Sequence, residues 1–327
     1  MPHTHAELLA DARRMSSAWR LTPDDTIINI LPGNFAMGLL LSATGAVEAG
    51  ATTVYWGDRR PLVLARQTLL DVLVAERVTV MGAVPAMYDV LAGAPGEAGL
   101  ETMRLAFSGG AGLKRASYDR FRERFGVTLR QAYGSTEALM VSHNDAADID
   151  GLWASVGKPA GDAEVWINST QSGLAPGVGE LMVRSSSLTS GYLGEAEANA
   201  ASFRDGWLRT GDIARLDEDG NMFILGRSKL LIEVSGFKVD PIEVEETLQL
   251  HPAVAEAAVV GVRLSPHADL RLKAFVVRHQ EVAPEQLIRF LRERLSAHKV
   301  PALIEFRDAL PRSSAGKVMR GRLSEEA

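Results

Sequence analysis

The sequence predicts an α/β protein: a layered parallel sheet, then a β-rich stretch, then a small α+β domain. Three observations predict it. As far as residue 132, short apolar strand-like runs alternate with helical patterns, the mark of parallel strands joined by crossover helices. From about Val156 the pattern changes to short strands and turns. After Arg227 helices and strands mix over roughly 100 residues, the size of a small domain.

The elements follow in order. Thr4, with Glu7 three residues on, is a capping box, and the helix it opens runs towards Trp19. Residues 26–31 read as a strand. Residues 35–47 form the longest apolar run, too short to span a bilayer and followed by Glu48, so they read as a buried helix. Strands are expected at 52–56, 79–83, 104–107 and 128–132, with helices at 61–76, 85–91 and 114–125. In the β-rich stretch, 164–167, 180–183 and 213–216 read as strands, and Asp217-Glu218-Asp219-Gly220 as a hairpin turn whose return strand is 221–225. The last part reads as helix 241–250, strands 255–262 and 273–277, and helix 284–297. The domains expected are 1–226 and 231–327, joined by residues 227–230.

Composition narrows the function. Apolar residues make up 46% and charged residues 23% of 327, ordinary for a soluble globular protein. A formal net charge of −6 gives no support for binding nucleic acid or an anionic membrane, which want basic surfaces. Cysteine is absent, so a disulfide framework, a thiolate metal site and a cysteine nucleophile are excluded. No secretory signal or transmembrane segment is read, and a cytoplasmic protein is expected.

The chemistry concentrates in loops. A layered parallel sheet binds ligands at the carboxyl ends of its strands, where Ser108-Gly109-Gly110 and the segment from Gln131 to Glu137 fall. In the second, Gly134 allows close backbone approach, a hydroxyl can reach phosphate, and Glu137 can hold Mg²⁺. The plain alternative is a strand-to-helix turn with Glu137 as a solvated acid. Asp212, directly after Gly211, could accept from two ribose hydroxyls, or be a turn aspartate. Arg227, after Gly226, could face ribose or phosphate, or be a surface cation. Pro311 to Lys317 ends in a lysine on a glycine-flexible loop. It is not a Walker A loop, because Pro311 stands where glycine is needed and Val318 replaces Ser/Thr.

The order and intervals of these segments, with Gly179-Glu180-Leu181, Gly191-Tyr192-Leu193 and Arg209-Thr210-Gly211-Asp212 between them, resemble the adenylate-forming (AMP-binding) superfamily. The resemblance covers nearly the whole chain. Gly236-Phe237-Lys238-Val239 before a Pro-Ile-Glu helix start, and Lys299-Val300-Pro301, are most similar to its acyl-CoA synthetase branch. The resemblance implies a ligase that activates a small carboxylic acid with ATP and Mg²⁺ to acyl-AMP. The acyl group then passes to CoA or to a carrier-protein phosphopantetheine. By the same resemblance Gly109, Gly110 and Tyr133 hold adenine, Thr136 meets the α-phosphate, and Glu137 takes the metal. Asp212 and Arg227 hold ribose, and Lys229 lies at the hinge of a mobile C-terminal domain. Ala111, Gly134, Ile224 and Gly236 complete the cofactor-binding set. Lys317, with Thr136 and Glu137, is catalytic, as a cation between carboxylate and phosphate. Asn34, Phe35, Gly38 and Gly134 correspond to the acyl pocket, with Phe35 where many relatives have histidine.

Three departures qualify this. The family's Ser/Thr/Gly-rich phosphate loop is not in the sequence and is expected just before Met1, along with the family's first large subdomain. Gly33 and Asn34 replace the apolar and aromatic residues common before the pocket position. Glu233 stands where many CoA ligases have lysine, and Leu230 where many have an acid. The expected activity therefore needs the N-terminal part supplied. The alternatives are an interaction subunit or inactive remnant that binds a partner half or a nucleotide, and an adenylating enzyme that loads a carrier protein.

Overall fold

Thr4 opens α1 (His5–Ala18) as a full capping box: its hydroxyl accepts from Glu7 N–H, and the Glu7 carboxylate accepts from Thr4 N–H. The computed structural model describes residues 1–33, 35–96, 99–170, 173–234, 236–263, 270–312 and 318–326. By contact, the chain divides into two units. The first joins residues 1–168, 180–210 and 214–224; the second joins 169–179, 211–213 and 225–327.

The first unit is built on β1 (Thr26–Asn29), β2 (Thr52–Tyr55), β3 (Val80–Ala83), β4 (Leu105–Ser108), β5 (Leu129–Ser135), β6 (Leu139–His143) and β7 (Lys158–Pro159). They form one sheet in the order β2-β1-β3-β4-β5-β6-β7. The pairs from β2 through β5 are parallel, and β6 and β7 add antiparallel. Alternate residues feed opposite faces. Ile28, Met81, Ala106 and Leu129 pack with α4 (Leu62–Ala75), α5 (Pro85–Ala92) and α6 (Arg115–Phe125), through Leu69, Leu73, Tyr88, Leu91, Tyr118 and Phe121. Ile27, Val80, Leu105 and Phe107 pack on the other face with Met15, Trp19, Leu40, Leu41 and Ala46. The parallel layer is therefore as the alternation predicts.

Two expectations need correction here. The apolar run at 35–47 is helical as expected, but it is only partly buried and not a regular α-helix. It is α2 (Ala36–Leu39), a π-helical turn (Leu40–Gly45) and α3 (Ala46–Ala49). One face is buried while Leu39 and Val47 are 47% and 78% exposed. The segment after Ser135 is not a strand-to-helix turn: the chain reverses into β6 as a hairpin.

In the β-rich stretch, β8 (Glu164–Asn168), β9 (Val178–Arg184), β10 (Phe203–Arg204), β11 (Trp207–Leu216) and β12 (Met222–Arg227) form a second sheet. The short α7 (Ala196–Ser202) precedes β10. The expected turn before β12 forms, with the Asp217 carboxylate accepting from Asp219 and Asn221 N–H groups.

In the second unit, β13 (Ile232–Val234) and β14 (Phe237–Val239) make a hairpin. Asp240 caps α8 (Pro241–Gln249), whose first residue is the proline that suits that position. Antiparallel β15 (Val254–Arg263) and β16 (Leu270–Arg278) take β17 (Leu303–Phe306) alongside β16 in parallel. Val244 and Leu248 of α8, with Leu287 and Leu291 of α9 (Pro284–Arg292), pack on these strands. α9 stops short of the expected 297, because Ser296 opens a separate 3₁₀ turn at Ala297–Lys299. The last helix is α10 (Arg320–Glu325). No helix among the described residues is long and apolar enough to cross a membrane.

Candidate active site

The first unit gathers several of the expected residues at the carboxyl ends of its central strands. Gly109 leaves β4, and its N–H donates to Ala83 O at the end of β3. A Cβ on Gly109 would lie 3.1 Å from Met37 Sδ and 3.3 Å from Ala132 O. Gly110 has φ +75°, a left-handed conformation that favours glycine, and a Cβ there would lie 3.6 Å from Phe35 Cζ and Val84 Cγ1. Phe35 is thus brought to Gly110, joining the expected acyl-pocket and adenine segments. Ala111 follows, exposed. Gly38 packs against the chain leaving β1: a Cβ would come within 2.8 Å of Leu31 Cβ. Asn34 lies outside the described residues.

Tyr133 and Gly134 lie in β5, at the irregular point of its pairing with β6. A Cβ on Gly134 would come within 2.3 Å of Leu139 O, so the hairpin closes only around glycine there. Tyr133 and Ile224, far apart in sequence, both pack on the core of Val141, Val156, Leu181 and Val183.

The turn after β5 presents Thr136, exposed, and Glu137, partly buried. It is held from several directions. His3 Nε2 donates to the Thr136 carbonyl at 2.7 Å. Thr189 N–H donates to Glu137 O at 2.9 Å, and the Thr189 hydroxyl donates to Pro2 O at 2.5 Å. Tyr192 Oη donates to Glu137 Oε1 at 2.8 Å. Behind the turn, Asp11 accepts from Met140 N–H at 2.9 Å and Arg14 Nη1 donates to Met140 O at 2.9 Å. Burial pushes the Asp11 carboxyl up to about 6, against the pull of Met140 N–H and Arg14. Asp162, on the other side of Arg14, is also raised by burial, but hydrogen bonds from Arg14 and Ser186 outweigh this and hold it at about 2.

In the second unit, Asp212 is buried next to Gly211 and accepts from Arg227 Nε at 2.8 Å, while the Arg227 side chain remains 66% exposed. The carboxylate and guanidinium therefore stand together. Lys229 lies in a 3₁₀ turn (Ser228–Leu230) just after Arg227. Gly236 opens β14 with φ +83°. Lys317 lies outside the described residues.

Sequence reasoning did not identify Tyr192, Thr189 or His3 as supports of the Glu137 turn. Tyr192 stood in a recognised segment but carried no role, and the contacts span 55, 52 and 133 residues. No periodicity or local motif reports contacts at that distance.

Comparison with known proteins agrees with the residues. A family described as AMP-binding enzyme matches residues 1–193, and the AMP-binding enzyme C-terminal domain matches residues 243–317. A probable CoA ligase (CCL9) of Humulus lupulus is 30% identical over 99% of this chain and 63% of its own length. A long-chain-fatty-acid–CoA ligase of Escherichia coli O157:H7 is 31% identical over 99% of this chain and 58% of its own. The structure of o-succinylbenzoate CoA synthetase from Bacillus subtilis, in complex with its acyl-adenylate intermediate, superposes with a TM-score of 0.86 at 30% identity. It covers 98% of this chain and 65% of that one. The chain thus spans less than two thirds of the length of each.

Proposed function

Because the chain belongs to the AMP-binding enzyme family, we propose that it serves ATP-dependent activation of a carboxylic acid to an acyl adenylate and transfer of the acyl group to CoA. The observation that carries this reading is the gathering of Phe35, Gly109, Gly110, Tyr133 and the held Thr136–Glu137 turn at one end of a parallel sheet. In this reading a carboxylate oxygen attacks the α-phosphorus, the bond to the bridging oxygen breaks, and pyrophosphate leaves. A thiolate then attacks the acyl carbonyl and AMP leaves.

Each residue has a proposed part. Gly109, Gly110 and Ala111, with Tyr133, give adenine a surface that no side chain at the glycines obstructs. Thr136 donates to the α-phosphate. Asp212 accepts from ribose hydroxyls while Arg227 orients it. Lys317 lies between the two anions as they approach and offsets their repulsion. Glu137 fits Mg²⁺ by donor chemistry: that ion takes hard oxygen, needs one or two carboxylates, and draws its other ligands from phosphates and water. Among the described residues no group of three or more His, Asp or Glu stands together as an all-protein cage. Bound there, the cation would neutralise phosphate charge. Residues 227–230, with Lys229, are the proposed hinge between 1–226 and 231–327. The sequence does not contain the family's loop for the β- and γ-phosphates, so the reading is tested with that loop supplied. A cytoplasmic setting, where ATP and CoA are available, goes with this reading.

One departure favours a second acceptor. Glu233 replaces the lysine many CoA ligases carry, so a carrier-protein phosphopantetheine is worth testing beside CoA. The first test is acid-dependent ATP–pyrophosphate exchange over a panel of carboxylic acids, on the chain alone and with the phosphate-loop part of a relative supplied. Exchange is expected in the second case. Lys317→Ala should abolish it through kcat, and Asp212→Ala should raise KM for ATP, since ribose contacts act in ground and transition states alike. No exchange with any acid, with the loop supplied and the protein folded, would overturn the reading.

A further inference from the structure

Glu137 does not choose its own orientation. Tyr192 Oη donates to its Oε1 at 2.8 Å, and among the described residues no group bonds Oε2. Tyr192 is itself fixed. Its N–H donates to Asn199 Oδ1 at 2.7 Å, and its carbonyl accepts from Asn199 Nδ2 at 2.8 Å. Its ring meets Phe203 edge-on, with centroids 5.6 Å apart. The preceding Gly191 lets the Asn199 amide come close: a Cβ there would be 2.6 Å from Asn199 Oδ1. A purely structural tyrosine would need only the ring packing; here the hydroxyl reaches across to a carboxylate on another element.

We propose that Tyr192 is a positioning residue for the cation: it fixes one oxygen of Glu137 and leaves the other to Mg²⁺. The proposal rests on reading Glu137 as the metal ligand. An unanchored glutamate loses rotamer freedom when it meets a cation, whereas here that loss occurs on folding. The hydrogen bond also draws some charge from the carboxylate, which weakens its attraction for metal. Orientation outweighs this because Mg²⁺ demands near-ideal octahedral geometry.

The test uses the 327-residue chain and Mn²⁺–ATP as the probe, read by water-proton relaxation enhancement, with ATP in EDTA as the metal-free reference. Tyr192→Phe keeps the ring and removes only the hydroxyl. It should bind Mn²⁺–ATP about tenfold more weakly, with metal-free ATP binding and the Tm unchanged. Glu137→Gln should lose the enhancement. If Tyr192→Phe matches the unaltered chain while Glu137→Gln fails, the positioning role is overturned and the metal reading stands. If Tyr192→Phe weakens metal-free ATP equally, the role is structural and the proposal is overturned. If Glu137→Gln matches the unaltered chain, or the unaltered chain shows no enhancement, the metal reading falls and the proposal with it.

Discussion

Each unit ties a distant segment down with an arginine on a carboxylate, but the two arginines differ in how far they are removed from water. In the first unit the Arg14 side chain is 1% exposed. It donates to Asp162 Oδ1 at 2.5 Å, to Ser187 Oγ at 2.7 Å and to Met140 O at 2.9 Å, with Asp11 Oδ1 3.5 Å away. In the second, Arg320 is 28% exposed and meets Glu245 Oε2 at 2.7 Å, while Glu245 also accepts from Val259 N–H. A guanidinium without water must find every acceptor inside the protein; a half-exposed one can keep solvent for some. The consequence is functional as well as energetic. Arg14 holds the carbonyl of Met140, three residues after Glu137, so the first unit places its candidate catalytic turn by long-range polar bonds. Arg320 and Glu245 instead join two helices, α10 and α8, that also pack on apolar cores, α8 through Val244 and Leu248 and α10 through Leu323.

The largest expected effect removes the drier arginine. Arg14→Met should cost about 4 kcal/mol in urea unfolding at pH 7.5, because it leaves buried Asp11 without its counter-charge and the Met140 carbonyl without its side-chain donor. The loss should shrink towards pH 5, as Asp11 protonates and no longer needs a counter-charge. A cost below 1 kcal/mol would show that water enters and replaces the guanidinium.

Asp11 itself gives the next effect. Its folded pKa of about 6 lies above its ordinary 3.8, so between these values the folded state holds a proton that the unfolded chain has released. Its contribution to stability is complete below 3.8 and is lost as pH rises through 6. Asp25 and Asp162 behave in the opposite sense. Burial would raise both, but hydrogen bonds, chiefly from Arg104 and Thr79 at Asp25 and from Arg14 and Ser186 at Asp162, hold them at about 2, so their contribution is lost only as pH falls below 3.8. Asp11→Asn should therefore flatten the limb between pH 4 and 6 by about 2 kcal/mol. Unfolding titrations at pH 4.5 and 7 measure it, and an unchanged slope would assign that limb to another group.

Arg320→Met should cost less, about 1 kcal/mol, because Glu245 keeps the Val259 N–H and gains water. A cost equal to that of Arg14→Met would erase the contrast between the units.

The same contrast accounts for what the sequence could reveal. Strands β1, β3 and β4 and helices α4 to α6 were legible because apolar residues at periods of two and 3.6 reflect local burial. Asp212 and Arg227 were legible one by one, each beside a glycine, but the bond between them was not. β6 was not: no turn glycine follows Glu137, and the reversal uses Leu139 at φ +58°, a conformation leucine rarely adopts. α7 buries no residue and so leaves no periodic trace. The supports of Glu137 lie on segments whose neighbouring residues signal only local structure: His3 precedes a capping box, and Tyr192 sits in a loop.

The smallest effect tests a departure that sequence comparison alone cannot weigh. Glu233 stands directly opposite Lys238 in the β13–β14 hairpin. Opposite charges across a ladder help by a few tenths of a kcal/mol, and like charges cost about as much. Glu233→Lys should therefore lower stability by about 0.5 kcal/mol in urea unfolding. Adenylation should be unaffected in the loop-supplied form, since that step is assigned to Lys317. The informative measurement is thioester formation from pre-formed acyl-AMP and CoA. If the family's lysine at this position serves the thiol step, the variant should speed it. An unchanged rate with the expected loss of stability would mean that Glu233 is kept for its hairpin partner, and that the second step in this chain draws its cation from elsewhere.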